Sequence, residues 1–310
     1  MTLPAGWEGP EQNFLGLEEP WCHPDRAGVY VLPAPYEHTS SYILGSDRGP
    51  SAILEASCQV EFYDEQLRCE PYREWGGIAT ASALDLGGKV DGDAVDAIER
   101  FVAPHVGTGR FLVTLTGEHT GALGAIRAHA KRYPHMCVVQ IDAHGDLREA
   151  YQGNPFSHAS VMARVVEHGL PLVQLGIRSI STEEIARIEK TERITTFFAA
   201  NILDPCGPYE GHASRWIPDV VAACRGPVYL TFDCDGLDAS IVPALGTPEP
   251  GGLGWYDTLN LVAALANGPG IVGMDVSEIA PIDGFAAPQF SIARLIYRML
   301  GRVKAGRRVH

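Results

Sequence analysis

Asp142-Ala143-His144-Gly145-Asp146 directly follows the apolar run Met136 to Ile141, and Asp233-Cys234-Asp235 directly follows Val228 to Phe232. In an extended strand alternate residues share a face, which pairs Asp142 with His144 and Asp233 with Asp235. Carboxylates crowded within a few ångströms repel one another, and some must then hold protons at neutral pH. Two divalent cations remove that conflict, because four negative charges meet four positive ones. The pattern is that of a two-metal hydrolytic centre. His119, four residues after Leu115, adds a second imidazole to that of His144. The set is rich in oxygen and lacks thiolate, which suits manganese better than structural zinc, with nickel and cobalt as alternatives. Cys234 lies between the two aspartates, faces the other way and is expected to pack.

Residues of this kind must be held at the ends of stiff elements. Strand-like apolar runs cover Gly28 to Leu32, Phe111 to Leu115, Met136 to Ile141, Val173 to Leu175, Val228 to Phe232 and Ile271 to Val276. Helical stretches cover Thr120 to Arg132, His158 to His168 and Gln289 to Leu300. Ser181 with Glu184 forms a capping box that opens another, ending near Arg193. Such alternation predicts a three-layer α/β/α fold around a mainly parallel sheet. Ligands of open parallel sheets bind beyond the carboxyl ends of the strands. His119, the Asp142 cluster, the Asp233 pair and Glu278 all take that position. No linker divides the chain. It is expected to form one domain over 1–310, with an N-terminal extension at 1–13 and a solvated or interface-forming basic tail at 302–310.

Composition narrows the partners. A net charge of −14 argues against nucleic acid and anionic membranes, which reward basic surfaces, and is compatible with a small cationic substrate. With 45% hydrophobic residues in 310, the chain can bury a sizeable core. Its seven cysteines are scattered without zinc-finger spacing, as expected of reduced thiols. The N-terminus lacks the pattern of a signal peptide, and no apolar run approaches the ~20 residues of a membrane span. A cytoplasmic protein is expected.

Gly117-Glu118-His119-Thr120, the Asp142 to Asp146 cluster, Ser157-His158-Ala159-Ser160 and Asp233-Cys234-Asp235-Gly236-Leu237-Asp238 occur in an order that resembles the ureohydrolase family, its agmatinase-like branch most of all. Gly246-Thr247-Pro248-Glu249-Pro250-Gly251-Gly252, Ser277-Glu278-Ile279-Ala280-Pro281, the stretch Pro35 to Tyr42 and Gly49 to Leu54 extend the resemblance to roughly residues 14 to 300. The resemblance implies an arginase/deacetylase-like fold and two manganese ions. One would be held by His119, Asp142, Asp146 and Asp233, the other by Asp142, His144, Asp233 and Asp235. It implies attack of activated water on a guanidinium carbon, releasing urea and an amine, with agmatine giving putrescine. In that scheme Glu278 orients the guanidinium, His158 carries a proton to the leaving amine, and Asp146 belongs to the catalytic set as well as to the ligands. Glu118 would support its neighbour His119, and Asp238 would support the site or form a turn. A homo-oligomer, trimer or hexamer, is implied too.

The chain departs from the family pattern in places. Thr116-Gly117 stands where two glycines are common, and Ala239 where proline is; neither change removes a donor atom. Leu147-Arg148 stands where arginases carry the asparagine that grips an amino-acid head group, which disfavours arginine. Arg148 could instead meet a substrate carboxylate, as in guanidinobutyrate. Two rivals stand beside this assignment: a metal hydrolase of another amide, and a non-catalytic binder of polyamines. The histidines at 23, 38, 105, 129, 135, 168, 212 and 310 lack a partner pattern and receive no role.

Overall fold

Strands buried on both faces read as unbroken apolar runs, and those runs here become one sheet. The computed structural model describes residues 3–204, 206–208 and 215–307. The strands are β1 (Val29–Ala34), β2 (Ile78–Thr80), β3 (Phe111–Thr116), β4 (Cys137–Ile141), β5 (Leu172–Ile177), β6 (Ile194–Phe198), β7 (Val228–Asp233) and β8 (Ile271–Ser277). Their order across the sheet is β2-β1-β3-β8-β7-β4-β5-β6, and every pairing is parallel. The helices include α1 (Gly49–Ser57), α2 (Pro71–Glu74), α3 (Asp91–Val102), α4 (Ala122–Arg132), α5 (Val161–Glu167), α6 (Thr182–Lys190), α7 (Ala199–Ile202), α8 (Ile217–Ala223), α9 (Trp255–Asn267) and α10 (Ala287–Gly306). Among the described residues no helix is long and apolar enough to cross a membrane.

Alternate side chains divide the core into two layers. Val29, Val31, Val113, Val139, Leu230 and Met274 pack with α1, α8, α9 and α10 on one face. Tyr30, Leu32, Leu112, Val138, Leu172 and Tyr229 pack with α3, α4 and α5 on the other. Toward the carboxyl ends of the strands this second face turns polar. Thr114, Asp275, Thr231, Gln140, Gln174 and Thr196 stand in register along one row of the sheet. Asp142 and Asp233 come two residues after members of that row, and so surface directly above it.

The ends of several elements differ from expectation. The capping box at Ser181 and Glu184 is present, but α6 ends at Lys190, three residues early. Helices α1, α2, α3, α7, α8 and α9, together with strands β2 and β6, are additions. The described part of the N-terminal extension lies against the sheet: Trp7 bridges Ala81, and its ring meets Tyr30 edge-on at 4.5 Å.

The basic tail is the larger correction. Helix α10 runs 20 residues to Gly306, so Arg302 lies within it, 6% exposed. Residues 308–310 fall outside the described ones. Arg302 donates from Nη1 to Asp64 Oδ2 at 2.5 Å and from Nη2 to Gln66, while Arg298 holds Glu65 with both Nη atoms at 2.7 and 2.8 Å. A buried arginine is stable only where its donors are matched, and the Asp64–Gln66 loop matches them. Arg302→Ala should therefore lower stability by roughly 2–3 kcal/mol in urea unfolding at neutral pH. A loss below about 0.5 kcal/mol would restore the solvated tail.

Candidate metal centre

Four neighbouring strands, β3, β8, β7 and β4, deliver the site at their carboxyl ends. His119 begins the turn His119–Gly121 after β3. Asp142 follows β4 directly, and Asp233 is the last residue of β7. Strand alternation is not what unites the aspartate pair, because Cys234–Gly236 is a 3-10 turn. The Asp233 carboxylate accepts the Asp235 N–H at 3.0 Å and folds that turn back over the strand end. Cys234 is buried in the opposite core layer, as its packing role requires. Asp146 and Glu278 both sit at positive φ, 53° and 70°, a region costly for residues with a Cβ.

The predicted side chains converge. His119 Nδ1 lies 3.1 Å from Asp142 Oδ2, 3.0 Å from Asp146 Oδ2 and 3.4 Å from Asp233 Oδ2. His144 Nδ1 lies 2.8 Å from Asp235 Oδ2 and 3.7 Å from Asp142 Oδ1. Among the described residues, two groups of atoms, each within 4.8 Å, could hold an ion: His119, Asp142 and Asp146, and Asp142, His144 and Asp235. Asp142 belongs to both. Asp233, the other expected bridge, stands beside the first group. Glu278 accepts the His119 backbone N–H at 2.6 Å and lines the same cavity as His158.

Charge crowding is severe. Burial, with Asp235 and Asp146 alongside, pushes Asp142 up to about 7. Asp233 is raised well above the carboxylate range by burial and by Asp235 and Asp142. Burial also opposes ionisation of Asp235, but the hydrogen bond and charge of His144 outweigh it and hold that carboxyl at about 2. His144 in turn rises to about 10, its burial overcome by Asp235 and Asp142. A site that draws positive charge this strongly suits divalent cations, and acid competes with them for the same atoms.

The donor set fits such ions. Thr231 Oγ1 donates to Asp275 Oδ1 at 2.9 Å, so toward His119 Nε2, 2.8 Å away, it accepts. The Nε2–H tautomer leaves His119 Nδ1 bare among the carboxylates, the arrangement of a metal-binding imidazole with a fixed outer hydrogen bond. Gln140 Nε2 donates to Asp142 Oδ2 at 2.7 Å. Gln174 Nε2 donates to Gln140 Oε1 at 2.6 Å, and Thr196 Oγ1 to Gln174 Oε1 at 2.9 Å. The polar row is thus the floor of the site. Its sequence signal was a polar residue inside an apolar run, two positions before Asp142 and Asp233.

Other side chains hold loops. Arg178 donates to the carbonyls of Asp235, Leu237, Glu249 and Pro250 at 2.7, 3.2, 2.7 and 2.8 Å, pinning the β7 turn to the Gly246–Gly252 loop. Asp238 is a turn former: it accepts from Ser240, Gly251 and Gly252. Glu118 does not brace the His119 ring. Its carboxylate clasps the loop after β1, accepting from the backbone of His38, Thr39 and Ser40. Arg148 lies 3.9 Å from Glu184 and 5.5 Å from the Tyr151 ring, lining a cavity of about 230 Å³ that opens beside His144, Asp146 and His158. Of the histidines given no role, His212 and His310 lie outside the described residues.

Comparison with known proteins agrees with this geometry. Residues 27–301 match the model of the arginase family. A Synechocystis protein named N(1)-aminopropylagmatine ureohydrolase is 40% identical, with 94% of each chain covered. A Bacillus anthracis agmatinase is 32% identical, covering 84% of this chain and 87% of its own. Among solved structures, the agmatine ureohydrolase of Thermoplasma volcanium superposes with a TM-score of 0.77 at 26% identity, over 92% of this chain and 93% of its own. With the fold, the order of the motifs and these likenesses in agreement, the chain belongs to the arginase family.

Proposed function

We propose that the protein is a manganese-dependent amidinohydrolase that cleaves agmatine to putrescine and urea. The observation carrying this is the convergence of His119, Asp142, His144, Asp146, Asp233 and Asp235 beside a cavity that Glu278 and His158 also line. In this proposal His119, Asp142, Asp146 and Asp233 would hold one ion, and Asp142, His144, Asp233 and Asp235 would hold the other. Bound there, two divalent cations would supply Lewis-acid charge and lower the pKa of water to about 7.

The chain's own groups do the rest. Glu278 presents a carboxylate to the planar guanidinium, which two parallel hydrogen bonds fit. Burial and the nearby Glu118 raise Glu278 well above the ordinary range, so an arriving cation is what would hold it ionised. His158 delivers the proton that the departing amine needs. Arg148 already faces Glu184, which favours a substrate without a carboxylate over arginine or guanidinobutyrate.

A second substrate, N(1)-aminopropylagmatine, is favoured by the name of the Synechocystis relative and by the cavity that continues past Asp146 to Tyr151. The proposal also takes the protein as a cytoplasmic homo-oligomer, trimer or hexamer. Tyr42 and Leu44, 74% and 65% exposed, are apolar surface that an assembly would cover. Urea release with manganese, nickel or cobalt is expected from agmatine or its aminopropyl derivative, and little from arginine or guanidinobutyrate. Silence with every guanidino compound would refute the activity, and light scattering on the same preparation reads the assembly.

A further inference from the structure

His158 opens the short turn His158–Ser160, and its contacts run back to the loop after β1. Its Nδ1 lies 3.1 Å from Thr39 Oγ1, and its backbone N–H donates to that same oxygen at 3.0 Å. Thr39 Oγ1 is in turn 2.8 Å from Glu118 Oε1. The second Glu118 oxygen accepts the N–H groups of His38, Thr39 and Ser40 at 2.8, 2.6 and 3.1 Å.

A hydroxyl has one proton to give and two lone pairs with which to receive. The Glu118 carboxylate, surrounded by donors, takes the proton. One lone pair is used by the His158 backbone. The other can only accept, so the ring atom facing it must carry a hydrogen.

We infer that Thr39, clamped by Glu118, fixes the neutral His158 ring as its Nδ1–H tautomer and leaves Nε2 bare on the substrate cavity. Nε2 is then the atom that takes a proton and passes it to the leaving amine. The role assigned to Thr39 rests on His158 being the proton carrier. Thr39 touches no reacting atom; it is a positioning residue. The same device is used with opposite sense at His119, where Thr231 protects Nε2 and bares Nδ1. One hydroxyl makes a metal-binding face, the other a proton-carrying one.

The test is nitrogen NMR on the full chain, labelled with 15N in its histidines, at a pH above the imidazole range. The His158 signals are identified by their absence from H158A. Wild type is expected to show a protonated Nδ1 and a bare Nε2. T39V should lose that preference, and T39S should keep it. In manganese-loaded enzyme T39V should lower kcat by roughly 10- to 100-fold, below the full worth of an acid–base group, with KM and metal content little changed and activity recovered in T39S. An Nε2–H tautomer in wild type, or a T39V spectrum matching wild type, overturns the inference. Should T39V fail to fold, the wild-type spectrum alone decides. Normal turnover in H158A would instead remove His158 from the reaction, while the spectra still judge the tautomer.

Discussion

Asp142→Asn is expected to reduce bound metal from two ions per chain to fewer than one and to slow urea release by at least about 10³-fold, equivalent to about 4 kcal/mol of barrier. Asp142 is the residue shared by both groups able to hold an ion. Its Oδ1 accepts the His144 N–H at 2.6 Å and its Oδ2 the Gln140 amide at 2.7 Å, so each oxygen is aimed before any ion arrives. Asparagine keeps the shape but removes the charge and turns one acceptor into a donor facing Gln140 or His144. The fold should survive. The folded-state pKa of Asp142, about 7, exceeds its unfolded value, so ionised Asp142 opposes folding increasingly as pH rises through that range. In chelator at neutral pH, the variant should therefore melt no lower than wild type, whereas added manganese should stabilise only wild type. Metal analysis and thermal melts check both halves, and an active variant holding two ions would end the assignment.

Glu278→Gln should lower kcat/KM for agmatine by roughly 10²- to 10³-fold, the range for removing one partner of a desolvated charged pair. The His119 N–H is fixed on Oε1 at 2.6 Å, so a glutamine would keep its carbonyl oxygen there. Its NH₂ then replaces Oε2, the atom nearer Gly246 on the cavity side. A donor would thus meet the donors of the guanidinium. Two ions per chain should remain bound, separating this loss from that of Asp142→Asn. Steady-state kinetics with parallel metal analysis decides, and kcat/KM within a few-fold of wild type would exclude Glu278 from substrate binding.

Much of the frame was legible because burial writes itself into residue type. Six strands coincide with apolar runs, and the capping box at Ser181 starts its helix as expected. Strand β2 is only three residues long and β6 is partly exposed, so neither makes a run of that kind. Helix α10 outlasted expectation because Arg302 reads as a solvated charge until Asp64, far away in the chain, is seen beside it. The candidate ligands were visible because few uses other than metal suit so many acidic groups at such spacing. Thr39, Thr231 and Arg178 were not. A hydroxyl or guanidinium is defined by its neighbours, and the partner of Thr39 lies 119 residues along the chain.

Asp146 and Glu278 hold left-handed backbone angles that glycine would adopt without strain. Selection for thermal robustness alone would thus be drawn to the two places where relaxation costs turnover, and gains found there should be read as warnings. Durable improvement belongs instead in the helical layer against the opposite side of the sheet, where tighter packing leaves the reacting groups untouched.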